Sequence, residues 1–148
     1  MGRTRRRCRI PRPGVEVDSE GAVRVTTWTD DELARIGRAN ELQIASRRPD
    51  GSLRPFVTIW VVRSGDDVYV RSAHGYANPW FQRALKSRDG RIRAGGVERD
   101  VAFEDPVPDI HGDVDAAYHV KYDRYGPRMV GTVVSPEAHR STLRLMPR

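Results

Sequence analysis

Arg47, Arg48 and Arg54 bracket a turn in the stretch RRPDGSLRPFVTIW, residues 47–60. A planar guanidinium can pair two phosphate oxygens at once, so arginines on both arms of a hairpin can grip a phosphorylated ligand. The same residues also suit the solvated rim of an ordinary turn. Elsewhere the chemistry is scattered. His74, His111, His119 and His139 are scattered along the sequence, and Asp115 and His119 stand one helical turn apart. Two ligands do not make a metal site, and an i,i+4 ion pair explains them equally well. Tyr118, Tyr122 and Tyr125 can offer phenol protons to a pocket or act as core residues with polar tips. Trp28, Trp60 and Trp80 can stack a flat ligand or anchor a core. There is no G-x-S-x-G nucleophile elbow, and the AGG at Ala94–Gly96 has neither a P-loop nor a dinucleotide fingerprint.

These residues need elements to position them. The brief alternation of AVRVTTW reads as a lead-in strand. Thr29, with Glu32 three residues on, makes a capping box for a helix carrying Leu33, Ile36 and Gly37 on one face and ending near Asn40. From Glu41 the period changes to two. ELQIASRR is a strand, Pro49, Asp50 and Gly51 supply a turn, and LRPFVTIWVVRSG reads as the longest strand. Its Val57, Ile59 and Val61 face one way and Thr58, Trp60 and Val62 the other. Gly65 and Asp66 turn the chain back into DVYVRSA. Asn78 and Pro79 open a second helix with Trp80, Phe81, Ala84 and Leu85 buried. RIRAGG and VERDVAFE are strands about a glycine turn. DVDAAYHVKYDRYG carries an apolar stripe at helical spacing, Ser135 caps a short turn, and STLRLMP closes as a strand. The sum is an α+β, mainly β fold: six antiparallel strands with two to three helices, whose closure into a small barrel would remove exposed edges.

At 148 residues the chain fits one domain. Its net charge of +6 comes from six arginines ahead of Glu16. Without those six, 20 basic residues face 20 acidic ones. We therefore expect a basic tail or extension over residues 1–24, then a neutral domain over 25–148. Nucleic-acid binding is unlikely except through that tail, which can add sequence-blind, salt-dependent affinity. Arg outnumbers Lys 24 to 2, a skew suited to GC-rich coding, and residues before about Val23 are expected to be dispensable. Cys8 is the single cysteine, which excludes an internal disulfide and fits a reducing, cytoplasmic setting. No apolar run approaches the roughly 20 residues of a membrane-spanning helix, and RTRRRCRIPRP lacks a signal peptide's apolar segment.

The segment SRRPDGSLRPFVTIWVVRSGDDVYVRSAHGYANPWFQRAL resembles the nitroreductase-like, deazaflavin-dependent oxidoreductases of actinobacteria. Trp28 to Pro147 is similar to a small bacterial family of unknown function in the same FMN- and deazaflavin-binding superfamily, with RIRAGGVERDV, KYDRYGP and STLRLMPR as distinctive pieces. The resemblance implies a split β-barrel, commonly a homodimer, holding a deazaflavin coenzyme or FMN in a groove at its side. Carried over by position, Arg48 and Arg54 hold phosphate, Thr58 and Trp60 line the ring, Ser72 donates a hydrogen bond and Trp80 walls the site. Pro49 and Asp50 stand where those enzymes carry Lys and Ser, His74-Gly75-Tyr76 replaces a double glycine, and Arg83 takes an Asn position.

The implied activity is hydride transfer between flavin or deazaflavin and a small organic acceptor, with Tyr125, Tyr76 or His74 relaying a proton and no metal. The alternative is a barrel without cofactor that binds or transforms a small hydrophobic molecule.

Overall fold

The computed structural model describes Val15–Val17, Val23–Val25 and residues 27–148. The extension expected over residues 1–24 therefore lies outside the described residues, apart from β1 (Val15–Val17) and the first two residues of β2 (Val23–Val25), which pair antiparallel. Cys8 lies outside them too.

Helix α1 (Asp30–Arg38) begins as its sequence dictates. The Thr29 hydroxyl accepts from the Glu32 amide at 3.1 Å, and the Glu32 carboxylate accepts from the Thr29 amide at 3.0 Å. Leu33 and Ile36 are buried, each worth roughly 1.5 to 3 kcal/mol of transfer free energy.

The main sheet has seven antiparallel strands in the order β4-β3-β7-β8-β9-β6-β5. These are β3 (Leu42–Ser46), β4 (Val57–Ile59), β5 (Val62–Ser64), β6 (Asp67–Arg71), β7 (Asp89–Ala94), β8 (Val97–Glu104) and β9 (Thr142–Pro147). The strand expected over LRPFVTIWVVRSG is two strands, at opposite ends of that order. Val57 pairs with Ile44 on β3, whereas Val62 pairs with Tyr69 on β6. Only Trp60 and Val61 separate the two, so the sheet must curl until its ends meet. The backbone groups of Val61 leave the ladder and need other partners. Tyr122 supplies one: its hydroxyl accepts from the Val61 amide at 3.1 Å and donates to the Asn40 carbonyl at 2.9 Å. Lys121 Nζ donates to the Val61 carbonyl at 2.8 Å. The curled half-barrel is a split-barrel fold, with the expected facing intact: Val57, Ile59 and Val61 pack into the core inside the sheet, while Trp60 and Val62 pack outside it against the helices.

Helix α2 (Pro79–Ser87) starts at Pro79, although the Asn78 side chain makes no capping bond. Helix α3 (His111–Tyr122) runs into a 3-10 turn at Asp123–Tyr125. It is followed by α4 (Pro127–Val134), for which the sequence reading has no counterpart, and by the short α5 (Pro136–His139), where the Ser135 hydroxyl accepts from the Ala138 amide. Gly131 and several β-branched residues make α4 a poor helix by propensity. Burial of Val130 and Val133 against Tyr118 and Tyr122 overrides that. Five α-helices thus stand among the described residues where two to three were expected. The glycine turn between β7 and β8 needs its glycine for space: a Cβ on Gly95 would sit 2.3 Å from the Arg35 carbonyl of α1.

Candidate functional site

The hairpin at Pro49–Gly51 forms as expected. Arg48 N donates to the Ser52 carbonyl at 2.8 Å, and Gly51 adopts φ +90, a conformation that glycine enters without strain. Asp50 is held by its own turn. Its carboxylate accepts from the Ser52 hydroxyl at 2.7 Å and the Ser52 amide at 2.9 Å, bonds that keep its pKa below the ordinary carboxylate value.

Beneath the hairpin lies a basin of about 420 Å3, lined by Arg47, Arg48, Pro49, Gly51, Arg54, Arg83, Lys86, Ser87 and Asp89. The carboxylate that lines the basin is Asp89, which pairs with Arg47 at 3.6 Å and Arg148 at 3.2 Å. The arginines differ in availability. Arg47 pairs with Asp100 at 2.7 Å and Asp89 at 3.6 Å. Arg48 donates to the Leu53 carbonyl at 2.9 Å and the Ser52 hydroxyl at 3.2 Å. Among the described residues, the side chains of Arg54, Arg83 and Lys86 have no hydrogen-bond or ion-pair partner. The same three cations also line a wider concavity of about 700 Å3, together with Tyr76, Arg88, Asp105 and Arg140. Arg88 and Asp105 pair at 3.0 Å, which leaves the cations of this concavity in excess.

A second cleft of about 320 Å3 opens further along the same segment. Val57, Thr58, Ile59 and Trp60 form one side, Ala73, His74, Asn78 and Trp80 another, and Met129, Thr132 and Val133 of α4 a third. Arg54 of the basin and Thr58 of the cleft are separated by at most about 14 Å of extended chain. Trp60 is fixed by stacking on Tyr122, with ring centroids 4.1 Å apart and planes 7° from parallel. Trp80 is nearly buried, edge-on to Phe81 at 5.8 Å.

The structure therefore gathers Thr58, Trp60, His74 and Trp80 at one cleft and Arg48 and Arg54 at the basin by the hairpin. Tyr76 sits at the rim of the wider concavity, against Phe81 at 5.4 Å. Tyr125 lies on the far side of Trp60, 5.5 Å between ring centroids, and does not line the cleft. Its half-exposed phenol accepts from Asn40 Nδ2 at 2.7 Å and Arg124 at 3.3 Å, and these donors lower its pKa below the usual phenol value. Ser72 is fully buried, and its hydroxyl has no partner among the described residues. His119 pairs with Asp123 at 2.8 Å instead of Asp115. Among the described residues no three His, Cys, Asp or Glu side chains converge as a metal site.

Arg83 and Lys86, which line both concavities, are not among the candidates read from the sequence. The available signal was their spacing of one helical turn on the face of α2 opposite Trp80, Phe81 and Ala84. The buried Arg71, with Asp115, His111 and His139 around it, was also missed. These four come from three elements, and nothing in the sequence joins them.

Known structures share this architecture. The chain is similar to a protein described as F420 Reductase, with TM-score 0.52 and 16% identity over 82% of this chain and 94% of the other. It is similar to the protein Atu2129, of unknown function, from Agrobacterium tumefaciens, with TM-score 0.57 and 12% identity over 93% of this chain but 57% of the other. A conserved hypothetical protein from Mycobacterium tuberculosis, Rv2991, aligns with TM-score 0.52 and 7% identity over 90% of this chain and 84% of that one. At such identities the likeness establishes the fold alone. No curated protein sequence matches the chain. Residues 32–145 match the bacterial family DUF2255, described as an uncharacterized protein conserved in bacteria, and the chain belongs to that family.

Proposed function

We propose that this protein is a flavin- or deazaflavin-dependent oxidoreductase acting on a small organic acceptor. One observation carries the reading: a basin in which Arg54, Arg83 and Lys86 have no side-chain partner among the described residues and an aromatic-walled cleft are lined by the same chain segment, by Arg54 and by Val57 to Trp60. The residues fit such a cofactor. Arg54, with Arg83 and Lys86, supplies charge-assisted donors for its phosphate, Arg48 keeps the hairpin shaped around it, and Thr58, Trp60, Trp80 and His74 meet its ring. The likeness to a protein described as F420 Reductase supports the same reading. When bound, the cofactor supplies the hydride chemistry, and the protein supplies position and electrostatics. Trp60 and Trp80 exclude water from the cleft, and His74, exposed at its mouth, can exchange a proton with solvent or acceptor. Tyr76 and Tyr125 stand outside the cleft, so a proton role for either requires a ligand that extends past its walls. We propose a homodimer as the functional unit, because β4 ends the strand order beside the exposed Tyr125 and Met129.

A second reading is favoured by the lining of the cleft itself. Val57, Ile59, Trp60, Trp80, Met129 and Val133 suit a small hydrophobic molecule bound without a cofactor. Titration with FMN and with reduced deazaflavin, followed by absorbance and fluorescence quenching, separates the two. Binding of either with Kd below about 50 μM, near 6 kcal/mol, supports the oxidoreductase. Absence of both at that level removes it in favour of the second reading.

A further inference from the structure

Arg71 ends β6 with no exposed side-chain surface. A guanidinium has five N–H donors and no acceptor, and here all five are engaged. Nε donates to Thr142 Oγ1 of β9 at 2.8 Å. Nη1 donates to the Asp115 carboxylate of α3 and to the Val133 carbonyl of α4 at 2.7 Å. Nη2 faces His111 Nδ1 at 3.1 Å and the His111 carbonyl at 3.5 Å. Arg71 has no donor left for a ligand; it joins four elements. The bond to Val133 matters for the cleft, which Arg71 itself lines: Val133, Thr132 and Met129 form one wall, while Ala73 and His74, two and three residues after Arg71, form another. That contact ties the α4 wall to the end of β6, in addition to the packing of Val130 and Val133 on α3.

The contact with His111 also fixes a protonation state. Arginine cannot accept, so His111 Nδ1 must present its lone pair, and the ring is neutral with its proton on Nε2. His139 stacks on His111 with centroids 4.5 Å apart and planes 6° from parallel. His139 Nε2 meets the two Asp115 oxygens at 3.1 and 3.0 Å. One carboxylate therefore serves both Arg71 and His139. The charged or titratable groups facing His111 are Arg71 from β6, Asp115 from its own helix and His139 from α5. Of the other packed elements, β9 contributes the Thr142 hydroxyl and α4 the Val133 carbonyl. Burial first, and then His139 and Arg71, push the His111 pKa below its usual value near 6.5.

We propose that Arg71 is a proton-operated latch on the cleft: a proton taken from solvent onto His111 Nδ1 displaces the Arg71 guanidinium and frees the α4 wall from β6. No covalent bond other than the new N–H forms, and the His111 imidazolium then stands against the Arg71 guanidinium, which it repels. His111 and Asp115 are thus positioning residues for the cleft. The latch stands independently of the ligand, and only its effect on FMN affinity rests on the flavin reading.

Because the folded state holds His111 below its free value, the opened state binds the extra proton. The latch is closed above pH about 6.5 and weakens as the pH falls through that value towards the depressed folded pKa. Amide hydrogen exchange across α4, corrected for intrinsic rates, is followed from pH 8 to 5. In the wild type, α4 exchange rises as the pH drops below 6.5, by at most about tenfold per pH unit, the limit for one proton. His111→Asn places an amide oxygen for Arg71 but does not titrate, so its α4 exchange stays flat. A flat wild type, or the same rise in His111→Asn, overturns the proposal. Nitrogen-15 shifts of the wild-type imidazoles need no variant: the Nε2–H tautomer of His111 at pH 7 supports the latch and the Nδ1–H tautomer overturns it. FMN affinity is measured over the same pH range, with His111→Asn as the control for titration of the phosphate. Absent binding of both FMN and reduced deazaflavin, with pH-dependent α4 exchange, supports the latch and overturns the flavin reading alone.

Discussion

Arg54 and Arg71 are the same side chain, 17 positions apart, under opposite constraints. Arg71 is buried, with a carboxylate, two carbonyls, a hydroxyl and an imidazole around its five donors. Arg54, at the floor of an open basin, has no side-chain partner among the described residues. An arginine whose donors are all taken stabilises a fold. One whose donors are free in a concavity can recognise an anion. Partner geometry separates the two roles.

Removing the countercharge of Arg71 should have the largest effect. Asp115→Ala leaves a buried guanidinium without its carboxylate, and we expect a loss of about 3 kcal/mol, read from urea unfolding at pH 7.5. A loss under about 1 kcal/mol would break the contrast by placing Arg71 with the solvated arginines. Arg54→Ala should do the reverse. Unfolding stability stays within about 0.5 kcal/mol, while FMN or deazaflavin binding weakens by more than about tenfold, as loss of a charge-assisted contact of 1.5 to 3 kcal/mol requires. Arg83→Ala and Lys86→Ala, on the rim, should each weaken binding by up to about fivefold, since exposed pairs contribute 0.2 to 1 kcal/mol. The smallest effect separates the two regions by screening. Raising salt from about 0.05 to 0.5 M should lower cofactor affinity severalfold yet leave the denaturation midpoint nearly unchanged, because buried pairs are screened much less than exposed ones.

How much was legible depends on sequence distance. The capping box at Thr29 and Glu32, the PDG hairpin and the Pro79 helix start are local features. Each has its physical cause within four residues, and each stands in the structure where expected. The split of VTIWVV into β4 and β5 was not legible, because its cause lies about 60 residues away. Tyr122 and Lys121 satisfy the Val61 backbone at the point where the strand breaks. Period two holds through the break, so alternation alone reads one strand. Helix α4 was missed for a related reason: its propensity is poor, and its stability comes from Val130 and Val133 packing onto α3. Of the candidate site residues, the hairpin arginines and the Thr58–Trp60 segment are adjacent in sequence and were readable together. His74 and Trp80 join them only across the curled sheet.

The sequence by itself determined the antiparallel strand content, the starts of α1 and α2, the hairpin and the neutrality of the body, since propensity, capping and turn chemistry act over a few residues. The tertiary structure decided which arginines are free. Whether a guanidinium finds a carboxylate depends on what the fold brings to it. Asp115 reaches Arg71 across 44 residues, while no carboxylate reaches the side chain of Arg54 among the described residues.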